Sequence, residues 1–426
     1  MFSTVLSLSL LIIVFTLIIV RPKNIDVSWP ASIGAFLAII LGLISFSEIK
    51  TVFLDTWNAS LTLIALFILA EALNANKFFD WAAIHLAQNS SGSGWKLYIN
   101  TLLLTTFVTA FLANDGAILI LTPIFATLLK KIYPQDKKEW LPYLFAAGFF
   151  ADSMSALFLP SNLTNILIAD AFHLTFIDIF IKMVIPTIIA FIVGLLAFGL
   201  RFKSRLQSNY SLNTIKKSDG IIKDWTIFWL GIIILALLIL GYIVGGQLQI
   251  PTSVIALPLA LLMLLFVHFK KLTSVYKVIK ITPWSVLIYA LAMFILVTAA
   301  YNSHSLHIIT EPLRQNAASN SNLINTGYIT GILSALVNNL PASLISILAL
   351  KNLHSIASFT LYAVLLGVNI GPKLTPFGSL STLLWLGLLE KNGIKISWRE
   401  YFKENWWVTL LVLTLSLIGL LMISTI

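Results

Sequence analysis

Apolar runs of about 18 or more residues recur along this chain from end to end, and nothing else in it limits the possible folds so strongly. A run of that length is what a helix needs to cross the hydrocarbon of a bilayer. Composition agrees: of 426 residues, 58% are hydrophobic and only 10% are charged, with mean hydropathy +0.95, whereas a soluble domain carries roughly 25% charged residues. The period-two alternation of a membrane β-barrel is absent. The expected fold is therefore an all-α polytopic membrane protein of about 10–12 spans. The first run, Ser3–Val20, has no basic residue before it and no small-residue cleavage site after it, so it reads as a retained transmembrane helix rather than a signal peptide.

Composition also closes off other classes. The chain has no cysteine, which excludes disulfides, thiolate metal sites and thiol redox chemistry, and its six histidines are scattered without metal-ligand spacing. No metal and no cofactor is expected. The net charge of +10 comes from Lys and Arg in short loops. That is the signature of cytoplasmic loops, not of a nucleic-acid surface. Neither HExxH nor GxSxG occurs, so an intramembrane enzyme lacks its constellation.

Two polar islands interrupt the apolar runs. The first is Phe111-Leu-Ala-Asn114-Asp115-Gly116 with Thr122-Pro123, followed by Asp152 and Ser161-Asn162-Leu163-Thr164-Asn165. The second is Val337-Asn338-Asn339-Leu340-Pro341, followed by Asn369-Ile370-Gly371-Pro372-Lys373 and Gly378-Ser379-Leu380-Ser381-Thr382. Polar, helix-breaking sequence at membrane depth survives only where it is buried in protein or lines a cavity. Such breaks in corresponding halves point to a transporter's binding site. The offset from Ser161 to Gly378, 217 residues, also carries Asp152 onto Asn369, and an offset of 224 carries Asn114-Asp115 onto Asn338-Asn339. The order of features predicts an inverted repeat with broken helices or re-entrant hairpins. One half is 1–200, with transport elements 97–175, and the other is 225–426, with transport elements 323–390. The basic segment 201–224 is the expected cytoplasmic linker, and the remaining spans form a scaffold. Lys77–Gln88 and Ser305–Ala318 are expected along the membrane interface.

Each charge at the bilayer centre costs about 2.5–3.5 kcal/mol on insertion scales, so Asp115, Asp152 and Lys373 together cost about 8 kcal/mol unless they pair or reach water. Membrane carboxylates are the usual proton carriers, which makes Asp115 and Asp152 the proton-coupling candidates. Lys373 is the candidate site cation, able to replace a bound cation electrostatically. Blander readings stand beside these. Asp115 suits a helix cap, and Lys373 is long enough to snorkel to the interface. The neutral candidates for solute binding are Asn114, Ser161, Asn162, Asn165, Asn338, Asn339, Ser379, Ser381 and Thr382, with helix–helix adhesion as the alternative. For Ser155, Thr122 and Thr375 adhesion is the preferred reading. Glu71 reads as an interface residue.

At these islands the sequence resembles the arsenical pump membrane protein family, the arsenite efflux permeases. The matching stretches are Phe111-Leu-Ala-Asn-Asp-Gly-Ala-Ile-Leu-Ile-Leu-Thr-Pro123, Ala147-Gly-Phe-Phe-Ala-Asp152-Ser, Pro160-Ser-Asn-Leu-Thr-Asn165, Val337-Asn-Asn-Leu-Pro341 and Gly371-Pro-Lys-Leu-Thr-Pro-Phe-Gly-Ser-Leu380. Further matches are Asp55-Thr-Trp-Asn-Ala59, Phe78-Phe-Asp-Trp-Ala-Ala83 and Ile396-Ser-Trp-Arg-Glu-Tyr-Phe402. The resemblance implies export of arsenite and antimonite across a prokaryotic cytoplasmic (inner) membrane in exchange for protons, conferring arsenic resistance. It implies alternating access, with Asn114, Asp115, Asp152, Asn162, Asn338, Asn339 and Lys373 as site residues. It also implies that some members work with a soluble arsenite-stimulated ATPase. That ATPase, a second copy of the chain and membrane lipid are the candidate partners. One departure is Asn369, where some members carry aspartate. A sodium-coupled carboxylate or anion transporter of the same superfamily and a passive metalloid channel are the competing readings.

Overall fold

The computed structural model describes residues 2–21, 25–134, 137–206, 209–211, 215 and 220–425. Pro22 and Lys23 of the first loop, Gln135 and Asp136 of the second, and Lys216, Lys217 and Asp219 of the linker lie outside the described residues. The first half contains α1 (Phe2–Val20), α2 (Ser28–Ile40), α3 (Phe46–Ala75), α4 (Phe78–Asn89), α5 (Gly94–Leu112), α6 (Asn114–Ile132), α7 (Leu141–Ser153), α8 (Leu163–Phe172), α9 (Phe176–Arg201) and the short α10 (Lys203–Leu206). The second contains α11 (Trp225–Gln247), α12 (Thr252–Phe269), α13 (Val275–Ile281), α14 (Trp284–Asn302), α15 (His307–Asn316), α16 (Leu323–Val337), α17 (Asn339–Leu350), α18 (Thr360–Ile370), α19 (Leu380–Lys391) and α20 (Trp398–Ile423). Among the described residues, eight helices are long and apolar enough to cross a membrane, and the shorter apolar helices include α2, α8, α17 and α18. The last three border the polar islands, so the islands are where spans are cut into half-helices.

The cuts have local causes. At the first, Ala113 takes φ 63° and ψ 155° between α5 and α6; at the second, Asn338 takes φ 76° and ψ 151° between α16 and α17. A non-glycine residue holds such a conformation only where its surroundings fix it. The breaks are 225 residues apart, so Asn114 pairs with Asn339, one residue away from the pairing with Asn338 that the sequence suggested. Consecutive asparagines make the two registers look alike on paper, and the backbone decides between them. Downstream, the offset of 217 holds. Asn162 and Ser379 cap α8 and α19 by accepting from Thr164 N and Thr382 N. Between them and the preceding helices run short 3₁₀ turns, Leu159–Ser161 in one half and Gly371–Leu374 in the other. The last helices match as well. Capping boxes Thr175/Asp178 and Ser397/Glu400 open α9 and α20, each 26 residues long.

The halves interlock as a two-fold pair. Helix α2 packs on α14 as α3 packs on α12, α6 lies on α19 as α8 lies on α17, and α9 packs along its own counterpart α20. This exchange of contacts is the relation an inverted repeat produces. Small residues permit the closest crossing. A Cβ added at Gly371 would overlap the Gly331 backbone, and one at Gly367 would overlap Thr330 Oγ1 and the Gly327 carbonyl. This is the small-residue packing that lets membrane helices approach without a hydrophobic driving force.

Helix ends are tied together by sign of charge. On one face, Lys130 donates to the Asn392 carbonyl, Arg205 to the Lys138 carbonyl and Lys223 to the Ala75 carbonyl. On the same face Arg201 pairs with Glu404 at 2.7 Å and Lys270 with Asp224 at 3.0 Å. The opposite face brings the first turns of α1 onto the end of α14, through Thr4 and Ser7 with Ser303. It also carries the Lys351–Asp55 pair.

Candidate functional site

Asp152 sits in the last turn of α7 and reaches across to the broken turn of the other half. Its Oδ1 accepts from Asn114 Nδ2 at 2.9 Å, and its Oδ2 accepts from Ser379 Oγ at 2.5 Å. Lys373, on the 3₁₀ turn before α19, places Nζ 2.7 Å from Asp152 Oδ2 and donates to Thr382 Oγ1 at 2.8 Å. Both charged residues are 1% exposed. Lys373 therefore does not snorkel to the interface; it is a buried cation paired with Asp152. The amide of Asn114 spends its second donor hydrogen on Ser381 Oγ, 2.9 Å away. Its Oδ1 is buried without a partner. Asp115 is the second residue of α6 and makes no side-chain cap; it lies within reach of the Ser381 hydroxyl. The capping reading of Asp115 is thus set aside.

The reciprocal cluster surrounds Asn369, in the last turn of α18. Its Oδ1 accepts from Asn162 Nδ2 and from Ser155 Oγ, each at 2.7 Å, and its Nδ2 donates to Asn165 Oδ1 and the Leu365 carbonyl, each at 2.8 Å. Asn165 Nδ2 and Ser161 Oγ both donate to the Ser155 carbonyl, fixing the turn. Ser155 Oγ is also within 2.5 Å of the Asp152 carbonyl, which joins the two clusters. Asn338 uses its side chain locally: Oδ1 accepts from Leu340 N and Nδ2 donates to the Phe377 carbonyl. Asn339 gives its backbone N–H to the Gly378 carbonyl.

The residues singled out by sequence thus separate into three places. Asn114, Asp115, Asp152, Lys373, Ser379 and Thr382 gather at the charged cluster. Ser161, Asn162 and Asn165 gather at the neutral cluster around Asn369. Asn338 and Asn339 lie at the second break. Ser155, read from the sequence as adhesion, belongs to the neutral network, and Ser381, read as a solute-binding candidate, belongs to the charged one.

Two-fold comparison isolates what is special to the charged side. Where it has Asp152 and Lys373, the neutral side has Asn369 and Ala156. A residue missed by sequence follows the same rule. Tyr401 of α20 is 2% exposed, and its hydroxyl lies beside Thr382 and Asp152 with no partner in good hydrogen-bonding geometry. Its counterpart at the same step of α9, four residues past Ser397 as Ile179 is past Thr175, is apolar. Sequence signals for Tyr401 were that broken symmetry and its place in the matching stretch Ile396–Phe402. No group of His, Asp or Glu suited to hold a metal ion occurs among the described residues.

Polar residues buried at the crossing of two broken-helix pairs, with a charged pair at their centre, define a multi-pass membrane transporter of the inverted-repeat class. A family profile described as "Arsenical pump membrane protein" matches residues 6–424. The chain is 34% identical over 419 residues to the arsenical pump membrane protein of Escherichia coli strain K12, covering 97% of each chain. It is 27% identical over 415 residues to a putative arsenical pump membrane protein of Bacillus subtilis strain 168, covering 90% of this chain and 92% of that one. Among solved structures it shares its fold with the YdaH transporter of Alcanivorax borkumensis, at TM-score 0.59 and 13% identity over 99% of this chain and 98% of that one. The chain belongs to the arsenical pump membrane protein family.

Proposed function

We propose that this chain exports arsenite, and with it antimonite, from the cytoplasm in exchange for protons, as a secondary transporter. The observation that carries the reading is the Asp152–Lys373 pair, sealed from solvent at the point where the two halves cross. A proton delivered to Asp152 removes the charge that holds Lys373, so protonation and the geometry of the broken turns change together. Asp115, one helical step from Asn114, is the second proton acceptor. Arsenite at neutral pH is a small neutral trihydroxide. The unpartnered Asn114 Oδ1 accepts one of its O–H groups, and the Ser381 and Thr382 hydroxyls suit its remaining oxygens. The lack of thiols fits a carrier that must release trivalent arsenic. The segments 97–175 and 323–390 move as the transport domain against the remaining helices, exposing the cluster to one side at a time. Everted membrane vesicles test the reading: arsenite uptake collapses when the proton gradient is dissipated, and Asp115→Asn and Asp152→Asn each abolish the gradient-driven component. Uptake that survives dissipation rejects proton coupling.

A further inference from the structure

Where the end of α9 meets the start of α20, a cavity of about 240 Å³ opens on the basic face. Its floor is apolar, made by Leu141, Phe145, Phe202 and Ile396, and its rim carries Arg201, Arg205, Lys395 and Lys403 against Glu400 and Glu404. Both carboxylates are engaged. Glu404 holds Arg201 at 2.7 Å, and Glu400 accepts from Ser397 N and Oγ in the capping box of α20. Three cations, Arg205, Lys395 and Lys403, therefore face the cavity without a carboxylate of their own among the described residues; Arg205 makes one long bond, 3.4 Å, to the Lys138 carbonyl.

The two-fold relation shows that the fold does not require this rim. At the opposite end of the same helix pair, the start of α9 offers a single cation, Lys182, which lies 4.8 Å above the Tyr362 ring and 5.4 Å from that of Phe359. The basic cavity lies on the face that gathers the positive loops. The turns that border it point large apolar side chains outward: Leu200 is 70% exposed, Phe402 52% and Trp398 47%. Cations above an apolar floor, beside exposed aromatic and aliphatic side chains at a helix end, match a phospholipid headgroup with its acyl chains lying along the protein.

We infer that this cavity binds the phosphate-bearing headgroup of an anionic phospholipid, clamping the α9–α20 contact at the face with the basic loops. The rim cations take the phosphate, the floor takes the glycerol carbons, and Leu200, Phe402 and Trp398 receive the chains. The reading is independent of what the protein transports.

The test uses the full-length protein purified in a neutral detergent, with lipid binding followed by native mass spectrometry and by thermal melting. Phosphatidylglycerol binds and raises the melting temperature more than phosphatidylcholine does, and the preference falls by about tenfold in Lys395→Gln/Lys403→Gln, with Arg205→Gln reducing it further. The double variant exchanges surface groups and keeps the wild-type melting temperature without lipid, so a lost preference reports binding and not misfolding. Equal binding of the two lipids, or a preference unchanged in the double variant, overturns the proposal. Inorganic phosphate reproducing the whole stabilisation also overturns it, because the site then takes a free anion.

Discussion

Removing one member of the Asp152–Lys373 pair should cost far more than removing both. The pair is 2.7 Å apart and 1% exposed on each side, so either single change strands a charge in protein interior. Breaking a buried pair by deleting one partner typically costs about 3–5 kcal/mol. The two single changes should fall at different ends of that range. In Lys373→Ala, Asp152 keeps its donors Asn114 Nδ2 and Ser379 Oγ, so the cost is near 3 kcal/mol. In Asp152→Asn, the ammonium keeps only Thr382 Oγ1 as a close acceptor among its described contacts, so the cost approaches 5 kcal/mol. The double variant Asp152→Asn/Lys373→Ala reproduces what Asn369 and Ala156 already do on the other side of the two-fold, and should cost only about 1–2 kcal/mol. The coupling energy is then about 6–7 kcal/mol, well above the roughly 0.5–3 kcal/mol usual for residues in contact. Unfolding by SDS titration in mixed micelles measures it, and arsenite uptake in everted vesicles measures function, which all three variants lose. Additive costs, or singles as stable as the double, would show that the charges are solvated in the folded protein and refute the argument.

The Tyr401 hydroxyl gains nothing in this state, so Tyr401→Phe should leave stability unchanged or raise it by up to about 1 kcal/mol while lowering transport; reduced stability in the same SDS titration would mean that the hydroxyl is bonded after all. The positive loops share one face and the first turn of α1 lies on the other, so a cysteine placed at Thr4 should react with an impermeant maleimide from outside intact cells, while one at Lys271 should react only after permeabilisation. The chain has no native cysteine to confuse that result. At the linker, the Lys270 ammonium and then the N–H groups of Ile227 and Thr226 hold the Asp224 carboxyl below its usual range. A depressed folded value means stabilisation that is complete above the ordinary carboxylate range and disappears as pH falls through the lowered one. Asp224→Ala should therefore lower stability by about 1 kcal/mol at pH 7, with the difference from wild type vanishing only in acid.

Most of the polar cast was legible because hydrocarbon penalises polarity so heavily that Asn114, Asp152, Lys373 and Ser379 stand out in an apolar sequence. The positions of the breaks were readable from Pro160, Pro372 and the Asn pairs for the same reason. What a linear reading could not supply was the crossing. Asp152 finds Ser379, Thr382 and Lys373 in the other half, and Asn369 likewise finds Asn162 and Asn165. Ser155 looked like one more small hydroxyl on a helix, because its importance lies in bridging Asp152 and Asn369, which are distant in sequence. Asn338 looked like a ligand, and its side chain caps a helix, a role that a short polar residue at a helix start fills as readily as binding.

That crossing also bears on how the protein is made. Until residues 369–390 have been synthesised, Asp152 has no counter-ion and the α8 turn lacks its central amide. The first half then waits in the membrane with an unsettled carboxylate, costing about 2.5–3.5 kcal/mol, and an open polar groove. Neither half is a folding unit, and the native state arrives only when the second is threaded against the first. A ribosome that stalls in the linker leaves behind a fragment that quality-control proteases should recognise, and two separately expressed halves should accumulate only together.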